Sequence, residues 1–164
     1  MDGDEVIRVL SALRDAGIAA GITGGWGVDA LLGRETRPHE DVDLGIDTTA
    51  VDNAIRVLAG LGYELVEDQR PFRLELHGTR GRVDLHPIEW HADGSGVQTG
   101  FGDATFAYPK GSLSAPGVIA GQPVHCGTPE LQIVFHLGYE PKERDRRDMA
   151  ALADAFGLIL PVPY

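Results

Sequence analysis

Residues 21–47 read GITGGWGVDALLGRETRPHEDVDLGID, and the alternation of Asp41, Asp43 and Asp47 with Val42, Leu44 and Ile46 decides the fold. Successive side chains on a strand point to opposite faces, so the three apolar residues share a core face and Asp41, Asp43, Gly45 and Asp47 share the other. Asp is a poor strand former and neighbouring anions repel, so the pattern needs a reason. By the rise per residue, Asp41 and Asp43 stand about 7 Å apart, a span that one or two oxygen-seeking cations can bridge. Asp84 lies in RVDLHPI (82–88); Val83 and Leu85 point the opposite way, so Asp84 can join the same carboxylate face from a neighbouring strand. Three converging carboxylates repel unless cations neutralise them. The plainer alternative is that they solvate the open face of a half-covered sheet. It leaves unexplained Gly45, which removes bulk beside the charges, and the double glycine upstream.

Gly24 and Gly25 supply the complementary half. A strand that ends there and opens directly into a helix leaves backbone amides bare at the positive helix end, which suits phosphate oxygens. Glycine also lets a triphosphate come close. One short helix and a loop separate this turn from the acidic strand, so an anion cradle and cation ligands face one another. Such an arrangement fits two-metal phosphoryl chemistry, with one ion activating an attacking hydroxyl and the second holding the phosphates. Magnesium suits an all-carboxylate set. Zinc fits less well, since His77, His86 and His91 match neither a helical His-x-x-x-His nor a cysteine cluster. The chain also lacks the Gly-x-x-x-x-Gly-Lys-Ser/Thr loop of P-loop enzymes.

The 164 residues, 43% of them hydrophobic, are enough for one domain spanning 1–164 with its own core. A net charge of −11 argues against an extended phosphate-tracking surface, so long nucleic acid is not an expected partner. The N-terminal MDGDEVIRVL does not resemble a signal peptide and no stretch reaches the length of a membrane span, so a soluble, cytoplasmic protein is expected. Cys126 stands alone and reads as a small hydrophobe. Hydrophobic spacing predicts a helix over DEVIRVLSALRDAG with Val6, Val9, Leu10 and Leu13 inward, and a strand over IAAGI. A short helix over WGVDALLG buries Val28, Leu31 and Leu32. The amphipathic helix TTAVDNAIRVLAGLG is capped by Thr48 or Thr49, with Val51, Ile55 and Leu58 as its stripe. Strands follow over YELVED, FRLELHG and GRVDLHPI, then hairpins and loops over 89–127 around the mouth of a site. TPELQIVFHLGY begins a helix with Thr128 as cap and Pro129 at its first position. ERDRRDMAALADAF forms the last helix, whose KERDRR start reads as a solvated face.

Double glycine, short helix, Asp-x-Asp strand and later strand Asp resemble the nucleotidyltransferase superfamily that includes DNA polymerase beta. GGWGVDALLGRETRPHEDVDLGID, VDLHPIEWHADGS and FHLGYEPKERDRRDM are similar, in order and over most of the chain, to the small lincosamide nucleotidyltransferases and their relatives, the aminoglycoside 2''-adenylyltransferases. The resemblance implies an α+β fold, a mixed twisted sheet packed with helices. It implies Mg²⁺-dependent transfer of a nucleoside monophosphate, AMP from ATP before other NTPs, to an antibiotic hydroxyl with release of pyrophosphate. Asp41 and Asp43 would then bind both ions, and Asp84 would bind one ion and act as base. Gly24 and Gly25 would hold the triphosphate, and Arg37 would meet phosphate. His39 either touches phosphate or closes the loop. Trp26 reads as a packing anchor and Asp29 as a support of helix or loop. His136 and Tyr139 stand between core residues with a polar tip and a role near the nucleotide, and Arg70 and Arg73 are uncommitted. The stretch 93–125 departs from the family and is the expected drug-facing wall. Relatives in this group can pair, so a homodimer is expected. A glycosyltransferase using Asp-x-Asp, a housekeeping nucleotidyltransferase and a non-catalytic nucleotide-binding module are the competing readings.

Overall fold

The computed structural model describes residues 1–100, 102 and 104–164. The first helix, α1 (Gly3–Asp15), is capped by Asp2, whose carboxylate accepts from the Glu5 amide at 2.8 Å, and it buries Val6, Val9 and Leu13. Then come β1 (Ala20–Thr23), α2 (Gly24–Leu32), β2 (Asp41–Asp47) and, after a 3₁₀ turn, α3 (Val51–Gly60). Strands β3 (Glu64–Gln69), β4 (Arg73–Gly78), β5 (Gly81–Trp90), β6 (Gly96–Thr99), β7 (Thr105–Tyr108), β8 (Ala115–Ile119) and β9 (Gln122–Cys126) precede α4 (Pro129–Phe135) and α5 (Glu143–Phe156). The main sheet runs β3-β4-β5-β2-β1-β9-β8, with the β6–β7 hairpin continuing from the end of β5. It is mixed: β2 is parallel to β5 and β1 to β9, while the other neighbours are antiparallel.

The period-2 reading of β2 holds. Val42, Leu44 and Ile46 are buried with Val83 and Leu85 of β5 and Leu74 and Leu76 of β4 in one cluster that also contains the inner faces of α1 and α3. Burial of this face is the main term holding the sheet against its helices. The opposite face carries the polar residues, and the parallel register sets Asp43 directly beside Asp84.

Several local expectations change. Gly45 does not clear space beside the charges: a Cβ there would lie 2.7 Å from Leu113 Cδ2 and 2.8 Å from Ile88 Cδ1. Its neighbour across the β1–β2 ladder, Gly21, is filled by the same leucine, 2.3 Å from a notional Cβ. The paired glycines are thus a socket for Leu113, which joins Ile88, Tyr108 and Leu131 in a second apolar cluster. Leu113→Ala is expected to lower unfolding free energy by about 2–4 kcal/mol, because the socket cannot collapse on two glycines. A denaturant midpoint close to that of the parent would show that Leu113 does not anchor this segment.

Asp47, the last residue of β2, takes the capping role expected of Thr48 or Thr49. Its Oδ1 accepts from the Thr49 amide at 2.7 Å and from the Thr49 hydroxyl at 2.5 Å, starting the 3₁₀ turn Thr48–Ala50. The last residue of a strand that runs into a helix sits where free amides need an acceptor. In α3 the buried stripe is Val51, Ala54 and Leu58, with Ile55 only half-buried. Likewise Leu31 and Leu32 are only partly buried in α2, which instead buries Trp26 to Ala30 between sheet and helices. Helix α4 begins as expected, with the Thr128 hydroxyl accepting from the Leu131 amide, but ends at Phe135. Stretch 93–125 is strand-rich, formed by the β6–β7 hairpin and most of β8–β9; Phe101 and Asp103 within it lie outside the described residues. Among the described residues no helix is long and apolar enough to cross a membrane.

Candidate active site

The β1–α2 turn shows why its first position is glycine. Gly24 has φ +62°, a region costly for residues with a Cβ, and a Cβ there would come within 2.1 Å of Asp43 Oδ2. Helix α2 starts without a side-chain cap from Thr23, so its first-turn amides have no side-chain acceptor at Thr23. Gly25 is roofed: a Cβ would meet Arg37 Nη2 at 2.5 Å and His39 Nδ1 at 2.6 Å. The two glycines therefore admit different groups, Gly24 a carboxylate and Gly25 the Arg37–His39 pair.

The acidic face is less bare than the sequence suggests. Each carboxylate meets a basic partner of its own: Arg82 on Asp41 at 3.1 Å, His86 on Asp43 at 3.0 Å and Arg73 on Asp84 at 3.1 Å. Among the described residues, no three His, Cys, Asp or Glu side chains gather closely enough to form a metal cluster. Arg82 and Arg73 thus supply part of the neutralisation expected from metal ions, and His86 adds a hydrogen bond. One valence stays open. Asp84 is 7% exposed, its Oδ2 accepts from Arg73, and its Oδ1 is buried without a hydrogen-bond partner. Burial, with the Asp43 charge beside it, pushes the Asp84 carboxyl up to about 6 against the opposing Arg73. For Asp43 burial also acts upward, but the His86 hydrogen bond, with Arg73 and His136 nearby, outweighs it and holds the group below its ordinary value. An ionised Asp43 against Gly24 and an orphaned oxygen on adjacent Asp84 form an oxygen donor set that fits a hard divalent cation.

The loop between α2 and β2 is tied down by a second set of buried acids. Asp29 accepts from the Thr36 amide at 3.0 Å, from the Thr36 hydroxyl at 2.5 Å and from His39 Nε2 at 2.6 Å. His39 Nδ1 then accepts from Arg37 Nη1 at 3.1 Å. Arg37 grips Asp148 of α5 with two edges, Nη2 to Oδ2 at 2.7 Å and Nε to Oδ1 at 3.2 Å. Such bidentate pairs fix the guanidinium plane. The KERDRR run is therefore only partly a solvated face: Asp145 and Asp148 turn inward with Met149 and Leu152. Their i, i+3, i+4, i+7 spacing is a helical face that the sequence itself displays.

These elements surround a cleft of about 620 Å³. Gly24, Gly25, Arg37, His39, Asp41 and Asp43 line it, whereas Asp84 sits behind the lining. Arg82 and His86 line it too, and both share the strand face of Asp84, so alternation along RVDLHPI could have found them. Gln98 and Tyr108 arrive from the β6–β7 hairpin with no motif to announce them. Phe72, Phe106, Phe135 and Tyr139 add an aromatic wall, and His136, its Nδ1 2.7 Å from the Gln132 carbonyl, completes it. Trp26 is buried against the His39 ring, with centroids 4.6 Å apart. Arg70 instead pairs with exposed Asp52 and Asp68.

Comparison with known proteins gives the family and the fold. The family model described as aminoglycoside-2''-adenylyltransferase matches residues 5–152. A lincosamide resistance protein of Staphylococcus haemolyticus is 30% identical over 149 residues, covering 90% of this chain and 92% of the relative. A 2''-aminoglycoside nucleotidyltransferase of Escherichia coli is 30% identical over 135 residues, 80% of this chain and 71% of the relative. The crystal structure of a lincosamide antibiotic adenylyltransferase with lincomycin bound superposes with a TM-score of 0.81 at 30% identity, covering 91% of this chain and 94% of that one. The fold is also that of ANT(2'')-Ia in complex with adenylyl-2''-tobramycin, with a TM-score of 0.76 at 24% identity over 94% and 89% of the two chains. The chain belongs to the aminoglycoside-2''-adenylyltransferase family, the antibiotic nucleotidyltransferases that include the lincosamide enzymes.

Proposed function

We propose that this enzyme transfers AMP from ATP to a hydroxyl of a lincosamide antibiotic, with Mg²⁺ as cofactor, and releases pyrophosphate. The observation that carries this reading is the meeting of Asp43 Oδ2 with Gly24 at the start of α2, beside the orphaned Oδ1 of Asp84. Asp43 and Asp84, drawn together with Asp41 when a cation enters, would hold Mg²⁺, which would supply countercharge for the triphosphate and acidify the acceptor hydroxyl. The first-turn amides of α2 at Gly24 and Gly25 take phosphate oxygens. Arg37 adds a guanidinium at the cleft wall, aimed by Asp148, while His39 acts through Arg37 because both of its ring nitrogens are engaged. Asp84 takes the acceptor proton as the hydroxyl oxygen attacks the α-phosphorus. The bond from that phosphorus to the bridging oxygen breaks, and pyrophosphate leaves.

The aromatic wall of Phe72, Phe106, Phe135 and Tyr139 favours an acceptor with an alkylated body and few cations, as a lincosamide has, over a polycation. The likeness to the lincosamide resistance protein over almost its whole length points the same way. Glu40, Asp41 and Asp145 at the cleft favour the alternative, an aminoglycoside acceptor. Incubation with ATP, Mg²⁺ and either lincomycin or tobramycin decides by mass spectrometry. Lincomycin is expected to gain one AMP; a gain on tobramycin alone would reassign the acceptor, and no gain on either would remove the proposal.

A further inference from the structure

A run of hydrogen bonds behind Asp43 crosses four strands. His86 Nε2 meets Asp43 Oδ1 at 3.0 Å; His86 Nδ1 meets Gln98 Nε2 at 3.1 Å; Gln98 Oε1 accepts from the Tyr108 hydroxyl at 2.8 Å. The same Gln98 Nε2 donates to the Phe72 carbonyl at 3.2 Å. That last contact fixes the direction of all the others. A carbonyl only accepts, so Gln98 must turn its NH₂ toward Phe72, and a flipped amide would set two oxygens against each other. With its NH₂ so placed, Gln98 gives its second hydrogen to His86 Nδ1 and receives the Tyr108 hydroxyl on Oε1. His86 Nδ1 is therefore an acceptor, the ring proton is on Nε2, and it points at Asp43 Oδ1.

Gln98 is 4% exposed and Tyr108 1%, so water cannot readily replace a missing member. The far end is fixed by packing: the Tyr108 ring lies edge-on to Phe135, with centroids 5.2 Å apart, and to Trp90 at 6.0 Å. With Oδ1 engaged by His86, the other oxygen of Asp43 is the one brought against Gly24.

We propose that His86, held in a single tautomer by Gln98 and Tyr108, is a positioning residue that sets the Asp43 carboxylate for divalent-cation and nucleotide binding. This rests on the proposed role of Asp43 as a metal ligand. Groups that orient metal ligands in this way typically contribute 10–100-fold in affinity.

The tautomer is read first, by ¹⁵N imidazole NMR on the metal-free protein, which needs neither metal nor turnover. A protonated Nε2 with an acceptor Nδ1 is expected, and is expected to be lost in Gln98→Leu; the opposite tautomer, or an unchanged pattern in Gln98→Leu, overturns the wiring. Binding is read next, as Mn²⁺ affinity in the presence of a non-hydrolysable ATP analogue. His86→Leu is expected to weaken it at least tenfold, His86→Gln, whose amide can donate to Asp43, to recover to within about threefold, and Gln98→Leu to fall between. Affinities within twofold of the parent in both leucine variants would overturn the positioning role. If His86→Leu does not fold, His86→Gln and Gln98→Leu carry the comparison. Failure of AMP transfer with intact tautomer and Mn²⁺ affinities would remove the proposed acceptor reaction while leaving this assignment in place.

Discussion

Asp84→Asn is expected to slow AMP transfer about 10³-fold and, without divalent cation, to stabilise the protein at pH 8. The two effects share one cause. The carboxyl titrates near 6 in the folded protein against an ordinary 3.8, because ionising it places a second buried charge beside Asp43. A raised folded-state value means that the neutral acid is the stable form. Well below pH 4 the group is neutral folded or unfolded and contributes no difference. Between about 4 and 6 only the unfolded chain ionises it freely, and above 6 the folded protein carries the full penalty, on the order of 2–3 kcal/mol. Asparagine removes the charge with little change of shape, and Arg73 keeps Glu67 and Glu75 as partners. Melting in EDTA should show a gain of roughly 5 °C at pH 8 that is much smaller at pH 4. Turnover should fall about 10³-fold, the scale of a lost general base. A variant that keeps activity, or whose melting temperature drops equally at both pH values, would mean that Asp84 is an ordinary structural acid held by Arg73.

Gly24→Ala should be nearly as damaging, and for reasons of shape alone. The backbone at φ +62° costs an L side chain roughly 1–2 kcal/mol. Its methyl group would also occupy the space of Asp43 Oδ2, 2.1 Å away, so either the carboxylate or the turn must move. The expected result is at least a hundredfold loss in kcat/KM for ATP, since an ångström of misplacement at the reacting groups is worth about that much. Gly33→Ala is the control. Gly33 ends the same helix at φ +67° with no atom within 4 Å of a notional Cβ, so it should lose about 1 kcal/mol of stability and leave kinetics within about twofold. Equal kinetic effects from both alanines would assign the Gly24 loss to backbone strain and not to the Asp43 contact.

Both variants act on residues that the sequence alone makes legible. Alternation in EDVDLGID places Asp41 and Asp43 on one face and the β2 core on the other, and the same rule brings in Asp84; the register makes Asp43 and Asp84 neighbours. Helix α1, strands β3 to β5 and the Thr128 cap are equally readable, because a cap, a glycine stop or a two-residue period acts over a few neighbours. Gly45 misleads for a matching reason. Its partner is Leu113, far along the chain, and no local pattern says which side chain will fill a glycine socket. Arg73 and Arg82 are plain in the strands, yet a lone Arg does not declare which carboxylate it will meet.

Sequence by itself determined what depends on short-range geometry: the strand periods, the Thr128 cap of α4, the turn that demands glycine at position 24, and the family to which three ordered blocks point. Tertiary structure alone decided what depends on residues meeting across the sheet. It pairs Arg37 with Asp148, sets the Phe72 carbonyl where it dictates the proton on His86, and leaves Asp84 Oδ1 without a partner. The physical reason is one of range. Backbone sterics and side-chain alternation act within a few residues, whereas burial, charge compensation and hydrogen-bond direction exist only after distant segments have packed together.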